Sequence, residues 1–244
     1  MNVEKENLNK EEIIELTFDY FQRTIVHFAM WYAEARDNFG SEKAAKLMQE
    51  SWEKSYTIQM NRMSKTLGFA MEGKFPKALF EMDIEKLKEF KKSASVNWLA
   101  NDGIWFQTIE FSENMIEAKK CNDKAWNNFS PYEAMRIKDL LKLEVHPGLE
   151  GLKKALNFRL YADVNKQSIE NETDSSFDFF MNECRVQQAR NRKGLADYPC
   201  QSGGIIEYST FAATIDNRIM TKKIACPPDV HPETWYCGWH FYTS

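Results

Sequence analysis

The chain has 244 residues, a formal net charge of −4, and 43% hydrophobic and 14% aromatic residues. That composition supports a real core and excludes disorder, while the acidic balance argues against non-specific nucleic-acid binding. No stretch reaches the roughly 18–20 apolar residues needed to span a bilayer, and the charged start MNVEKENLNKEEIIEL has no apolar signal core. The expected location is the cytoplasm, with neither nucleic acid nor membrane as partner. Five cysteines, an odd count, then read as reduced thiols or metal ligands rather than a disulfide framework.

From about residue 8 to 145 the pattern is helical. Leu16, Tyr20, Ile25, Phe28 and Tyr32 recur at three to five residues and predict one buried stripe. Gly40-Ser41 ends that helix and caps the next, which runs through Trp52, Tyr56, Met60 and Met63 to a stop at Gly68. Sliding the chain by 74 positions carries Trp31 onto Trp105, Ala44 onto Ala118, Trp52 onto Trp126 and Arg62 onto Arg136. We read this as an internal duplication, about 25–69 and 99–143, of a helical hairpin whose tryptophans face a shared core or line a ligand cavity. Two such hairpins make a bundle.

The copies differ in two places. Ser130-Pro131-Tyr132-Glu133 reads as a helix start, with a capping serine and proline at the first position, so a break is expected near 127–130. Asn101-Asp102 replaces His27-Phe28, one turn before Trp105. Polar residues inside an apolar stripe mark a pocket or a solvated face, and Asn101 and Trp105 are candidate ligand contacts.

His146-Pro147-Gly148 reads as a boundary between a helical domain, 1–145, and a cysteine-rich domain, 146–244. A helix is expected over 149–170, strands at about 176–183, 218–226 and 235–243, and helices near 185–193 and 204–215. The fold class is α+β: a helical bundle from two duplicated hairpins, then a small antiparallel sheet with flanking helices.

Cys184, Cys200, Cys226 and Cys237 fall within the last quarter of the chain, spaced C-x15-C, C-x25-C and C-x10-C. With His231 they suit zinc, though no short knuckle supplies two ligands. The same thiols read equally as small buried hydrophobes or as a nucleophilic or redox pair activated by a neighbouring cation. Arg185, Arg190, Arg192 and Lys193 follow Cys184 directly. Arginine forks there decorate a solvated helix or hold a carboxylate or phosphate. Cys200, Glu207 and His231 are the candidate catalytic groups, with Asp216 and Asp229 as further acid–base candidates. Tyr208 and Trp235 are candidate ligand contacts. No phosphate loop, nucleophile-elbow serine or H-E-x-x-H helix is present.

The block from MNECRVQQARNRKGLADYPCQSGG to IACPPDVHPETWYCGWHF, with FRLYADVNKQ and WFQTIEF before it, resembles the end of a bacterial and archaeal family of undefined function, over about 98–244. More distantly, Cys184, Cys200 and Cys237-Gly238-Trp239-His240-Phe241 resemble the layout of L-2-amino-thiazoline-4-carboxylate hydrolase-like proteins and 4-vinyl-reductase-type ligand domains. That resemblance implies an α+β fold holding a small ligand or a metal, often as a homodimer. The expectation is a pocket between the helical and cysteine-bearing halves that takes a small anionic molecule or zinc. A hydrolase of a cyclic C–N substrate and a protein-interaction scaffold are the alternatives.

Overall fold

The computed structural model describes residues 8–195 and 198–243; residues 1–7, part of the charged start, lie outside them. Helix α1 (Lys10–Phe39) starts at Asn9, whose side chain accepts from the backbone N–H groups of Glu11 and Glu12. Glu12 returns its carboxylate to the Asn9 N–H, closing a capping box. Gly40, at φ 81°, ends it, as the Gly-Ser pair predicts. Helix α2 (Ser41–Leu67) stops before Gly68, at φ 78°. A small hairpin follows, β1 (Met71–Glu72) with β2 (Phe75–Pro76), turning at Gly73. This corrects the unbroken helical reading of the region. Then come α3 (Ile84–Ser112) and α4 (Met115–Leu141).

These ends give the duplication a structural test. Shifted by 74, Lys10 falls on Ile84, Ser41 on Met115 and Leu67 on Leu141, each an observed helix end. The caps correspond as well. Asn9 and Asp83 cap α1 and α3, and Gly68 and Lys142 both take the left-handed conformation after α2 and α4. Burial differs between the copies. Ala44 and Ala118 are both buried, but Trp52 is 49% exposed where Trp126 is 5% exposed. Trp31 and Trp105, at 67% and 65%, face away from any core, so the expectation that all four tryptophans are inward anchors holds only for Trp126.

The expected break near 127–130 does not occur: α4 passes through Pro131. The lost backbone hydrogen bond costs stability, and packing offsets it. Ser130, Glu133, Ala134 and Ile137 are all buried, and Ser130 Oγ donates to the Glu207 carbonyl at 2.6 Å instead of capping a helix.

Two compact units emerge, the first up to Arg62 and the second from Met63 onward. The division falls inside α2 rather than at His146, and the second hairpin belongs with the cysteine-rich part. In that unit α5 (Gly148–Leu156) is followed by a single 3-10 turn (Leu160–Asp163) and by β3 (Lys166–Glu170). The helix expected over 149–170 ends early because residues 166–170 are taken by pairing with β4 (Ser176–Glu183). Helices α6 (Arg185–Arg192) and α7 (Gln201–Ile215) precede β5 (Met220–Ala225) and β6 (Cys237–Tyr242). The sheet order is β3-β4-β6-β5, antiparallel throughout, so the α+β class holds with one strand more than expected.

Alternation in β4 and β6 turns Phe177, Phe179, Met181, Trp239 and Phe241 onto α7 and α5, where they pack with Leu152, Leu156, Phe211 and Ile215. Each large side chain buried this way contributes roughly 1.5–3 kcal/mol. Helix α7 lies very close to the sheet at Gly204, where a Cβ would sit 2.7 Å from Trp239 Cζ2 and 3.0 Å from Cη2. A rigid, fully buried indole cannot step aside. Gly204→Ala is therefore expected to destabilise the protein by about 1–3 kcal/mol despite alanine's better helix propensity; a shift in the urea midpoint would measure it, and an unchanged or raised midpoint would refute it. Among the described residues no helix is long and apolar enough to cross a membrane.

Candidate functional site

The second unit encloses a cavity of about 420 Å³. One wall comes from the inner face of α3, with Leu99, Asp102 and Phe106, and from Asn122 and Trp126 of α4. The other is built by α6, the start of α7 and the sheet, with Met181, Glu207, Tyr208 and Trp239. Cys184, Cys200, Cys226 and Cys237 all line it. Four thiols as far apart as 184 and 237 meet because each ends an element: Cys184 precedes α6, Cys200 precedes α7, Cys226 follows β5 and Cys237 opens β6. Asp229 pins this arrangement. Its carboxylate accepts from the Cys226 N–H at 3.2 Å and from Gln201 Nε2 at 2.9 Å, tying the loop after β5 to the start of α7. Gln187 holds Cys200, donating to its sulfur at 3.2 Å and to the Tyr198 carbonyl at 2.8 Å.

Two of the thiols, Cys184 and Cys226, are held protonated by their surroundings. Burial and the neighbouring Cys200 push Cys184 up, outweighing the backbone N–H groups of Gln187 and Val186 at the start of α6. The Cys200 and Cys237 thiols, with burial, push Cys226 far up. Among the described residues no three His, Cys, Asp or Glu side chains are arranged to hold a metal ion. The cysteines thus share one cavity wall without forming a ready-made zinc shell.

The charged groups divide sharply. Arg190 lines the cavity but clamps Glu110 through two bonds of 2.8 and 2.9 Å, and that pairing holds the Glu110 carboxyl below its ordinary range. This corrects its assignment as an anion-holding arginine. Arg185 and Arg192 also line the cavity, and among the described residues their side chains have no hydrogen bond or ion pair. Lys193, exposed beside them, reaches Gln107 at 3.0 Å.

Deeper in the unit, Arg159 is 3% exposed and sits over the rings of Phe211 and Tyr208 at 4.7 and 5.3 Å. Its Nε donates to Glu133 at 2.9 Å, and its outer nitrogen lies 2.7 Å from Glu207 Oε1 as an ion pair without hydrogen-bond alignment. Burial lifts the Glu207 carboxyl to about 7 in spite of Arg159. Asp102 has no hydrogen bond or ion pair among the described residues, and burial lifts it to about 6. The indole N–H of Trp239 is buried without a partner.

Several expected site residues lie elsewhere. His231 is turned to Pro232 and stacks on Trp235, which packs on Phe180; neither lines the cavity. The expected grouping of His231 with Cys200 and Glu207 is not formed. Asn101 and Trp105 are exposed and do not line the cavity, each standing one position out of phase with Asp102 and Phe106 on α3. Asp216 is bound by Arg218 and by the N–H of Gly148, a structural role. Asp102 was visible in sequence only as the departure from Phe28 in the first copy. There Phe28 packs edge-on against Trp52, with ring centres 6.2 Å apart; in the second copy Asp102 and Trp126 share the cavity wall.

These features define an α+β protein with a thiol-walled cavity bounded by one copy of a duplicated hairpin. The chain belongs to the family of unknown function DUF6125, whose model matches residues 5–90 and 80–243. No curated protein and no solved structure gives a significant match. The family expected from the C-terminal block is thus found, and over more of the chain, whereas the likeness to thiazoline-carboxylate hydrolases and vinyl-reductase domains receives no support.

Proposed function

We propose that the second unit binds a small anionic molecule in its cavity. The observation that carries this reading is a pair of guanidinium groups, Arg185 and Arg192, without partners among the described residues on the wall of a largely apolar cavity. Convergent polar groups in a concave apolar site are the usual mark of a small-molecule pocket, and an arginine fork without an internal acid is free for a carboxylate or phosphate. Tyr208, Trp239 and the four thiols supply the surface on which the rest of the ligand lies.

Calorimetric titration with butyrate, benzoate and inorganic phosphate tests the reading. At least one is expected to bind, and an Arg185→Ala, Arg192→Ala double variant is expected to lose about tenfold or more in affinity. Absence of binding, or equal affinity in the variant, overturns it. Competing roles give different results in parallel assays. A bound equivalent of zinc with protected thiols would mark the cysteines as a metal site that closes on its ion. Sustained turnover of a cyclic C–N substrate, lost in Cys200→Ala or Glu207→Gln, would mark a hydrolase.

A further inference from the structure

We infer that the ligand is dipolar: its anionic group meets Arg185 and Arg192, and a protonated nitrogen meets Asp102 of α3 and Glu207 of α7, which line the same cavity. The inference rests on the anion-binding reading and adds a second pole to it.

The internal charge balance carries it. Arg190 is matched by Glu110, and Lys119 of α4 by Asp123 at 2.6 Å. Arg159 alone faces both Glu133 and Glu207. Asp102 faces no cation among the described residues. Among the described residues these groups hold two more carboxyls than cations, while Arg185 and Arg192 of α6 have no acid partner. Glu207 is 7% exposed, lines the cavity, and keeps Oε1 without an aligned donor. Desolvated carboxyl groups in this state are costly unless they are neutralised or paired. A ligand nitrogen bearing N–H donors and positive charge supplies both remedies. It also fits the remaining neighbours, since Tyr161, Tyr198, Cys184 and Cys200 offer no competing cation.

The duplication strengthens the case. The first copy places Phe28 at the position of Asp102 and packs it on Trp52. An aromatic ring at that position is compatible with the hairpin, so the fold of the hairpin does not require a carboxylate. What Asp102 does contribute is a charge inside the cavity.

The test uses the full chain and matched probes: butyrate and γ-aminobutyrate, which differ by one ammonium group, with propylamine as a control. Wild type is expected to bind γ-aminobutyrate about tenfold or more tightly than butyrate. Asp102→Asn is expected to bring the two affinities within about twofold of each other. Equal affinities in wild type, or a preference that survives in Asp102→Asn, would overturn the inference. If butyrate binds in an Arg185-dependent manner without an ammonium preference, the anion reading stands and the dipolar one falls. If neither probe binds, the dipolar inference falls, and the anion reading falls with it only when benzoate and inorganic phosphate also fail to bind. The comparison within wild type requires no variant to fold.

Discussion

Arg159→Met is expected to cost about 3–5 kcal/mol of stability at pH 7, the loss typical of stripping one partner from a buried ion pair. The side chain it removes is nearly volume-matched, so the cost is electrostatic. Glu133 and Glu207 would be left in a dry core with the Leu160 N–H as the remaining donor to Glu133. The deficit depends on pH. Without the guanidinium, folded carboxyl groups hold their protons more tightly than unfolded ones, so the penalty is full above neutrality and shrinks as pH falls toward 4. Urea denaturation at pH 4.5 and pH 8 would show it, and an equal deficit at both values would count against this electrostatic account. A triple variant with Glu133→Gln and Glu207→Gln should recover much of the loss at pH 8.

Asp102→Asn is expected to do the reverse and stabilise the ligand-free protein at pH 8 by roughly 2–3 kcal/mol. The sign follows from burial. The folded carboxyl is raised to about 6 from an ordinary 3.8, so its contribution is fully present below pH 4 and lost as pH rises through 6. Glu207, raised to about 7, titrates in the same direction, and Asp102 is one of the charges that raise it. Wild type should therefore lose stability between pH 4 and pH 7, and the asparagine variant should lose less. No gain at pH 8, or an equal gain at pH 4, would contradict this account. A residue that weakens its own fold at neutral pH fits a role in binding rather than packing.

The helical hairpins were legible because their signals are local. Glycine at 40 and 68, serine at 41 and tryptophans 21 apart fix helix ends and repeat, and the observed ends agree to the residue at three of four positions. The phase of α3 was misread for a physical reason. Trp105 was placed inward because tryptophan usually packs, yet Leu99, Asp102 and Phe106 form the inner face and Trp105 lies one position out of phase. Pro131 misled in the same way, since local chemistry predicts a helix start and packing against α7 overrides it. Nothing in sequence reveals that Arg190 finds Glu110 from 80 residues away, or that β4 captures Lys166–Glu170 as a neighbour. The four cysteines line one cavity because each stands at an element end, beside turn residues that are themselves readable.

The shared helix ends of the two hairpins also bear on what makes one of them a cavity wall. Two segments of one chain have helix ends that coincide at three of four positions and matching N-caps at Asn9 and Asp83, so one architecture is carried by two different sequences. One carries a phenylalanine against its tryptophan; the other carries a carboxylate at that position and lines the cavity. A difference of chemistry at one corresponding position thus distinguishes the hairpin that lines the cavity from the one in which that position packs ring on ring.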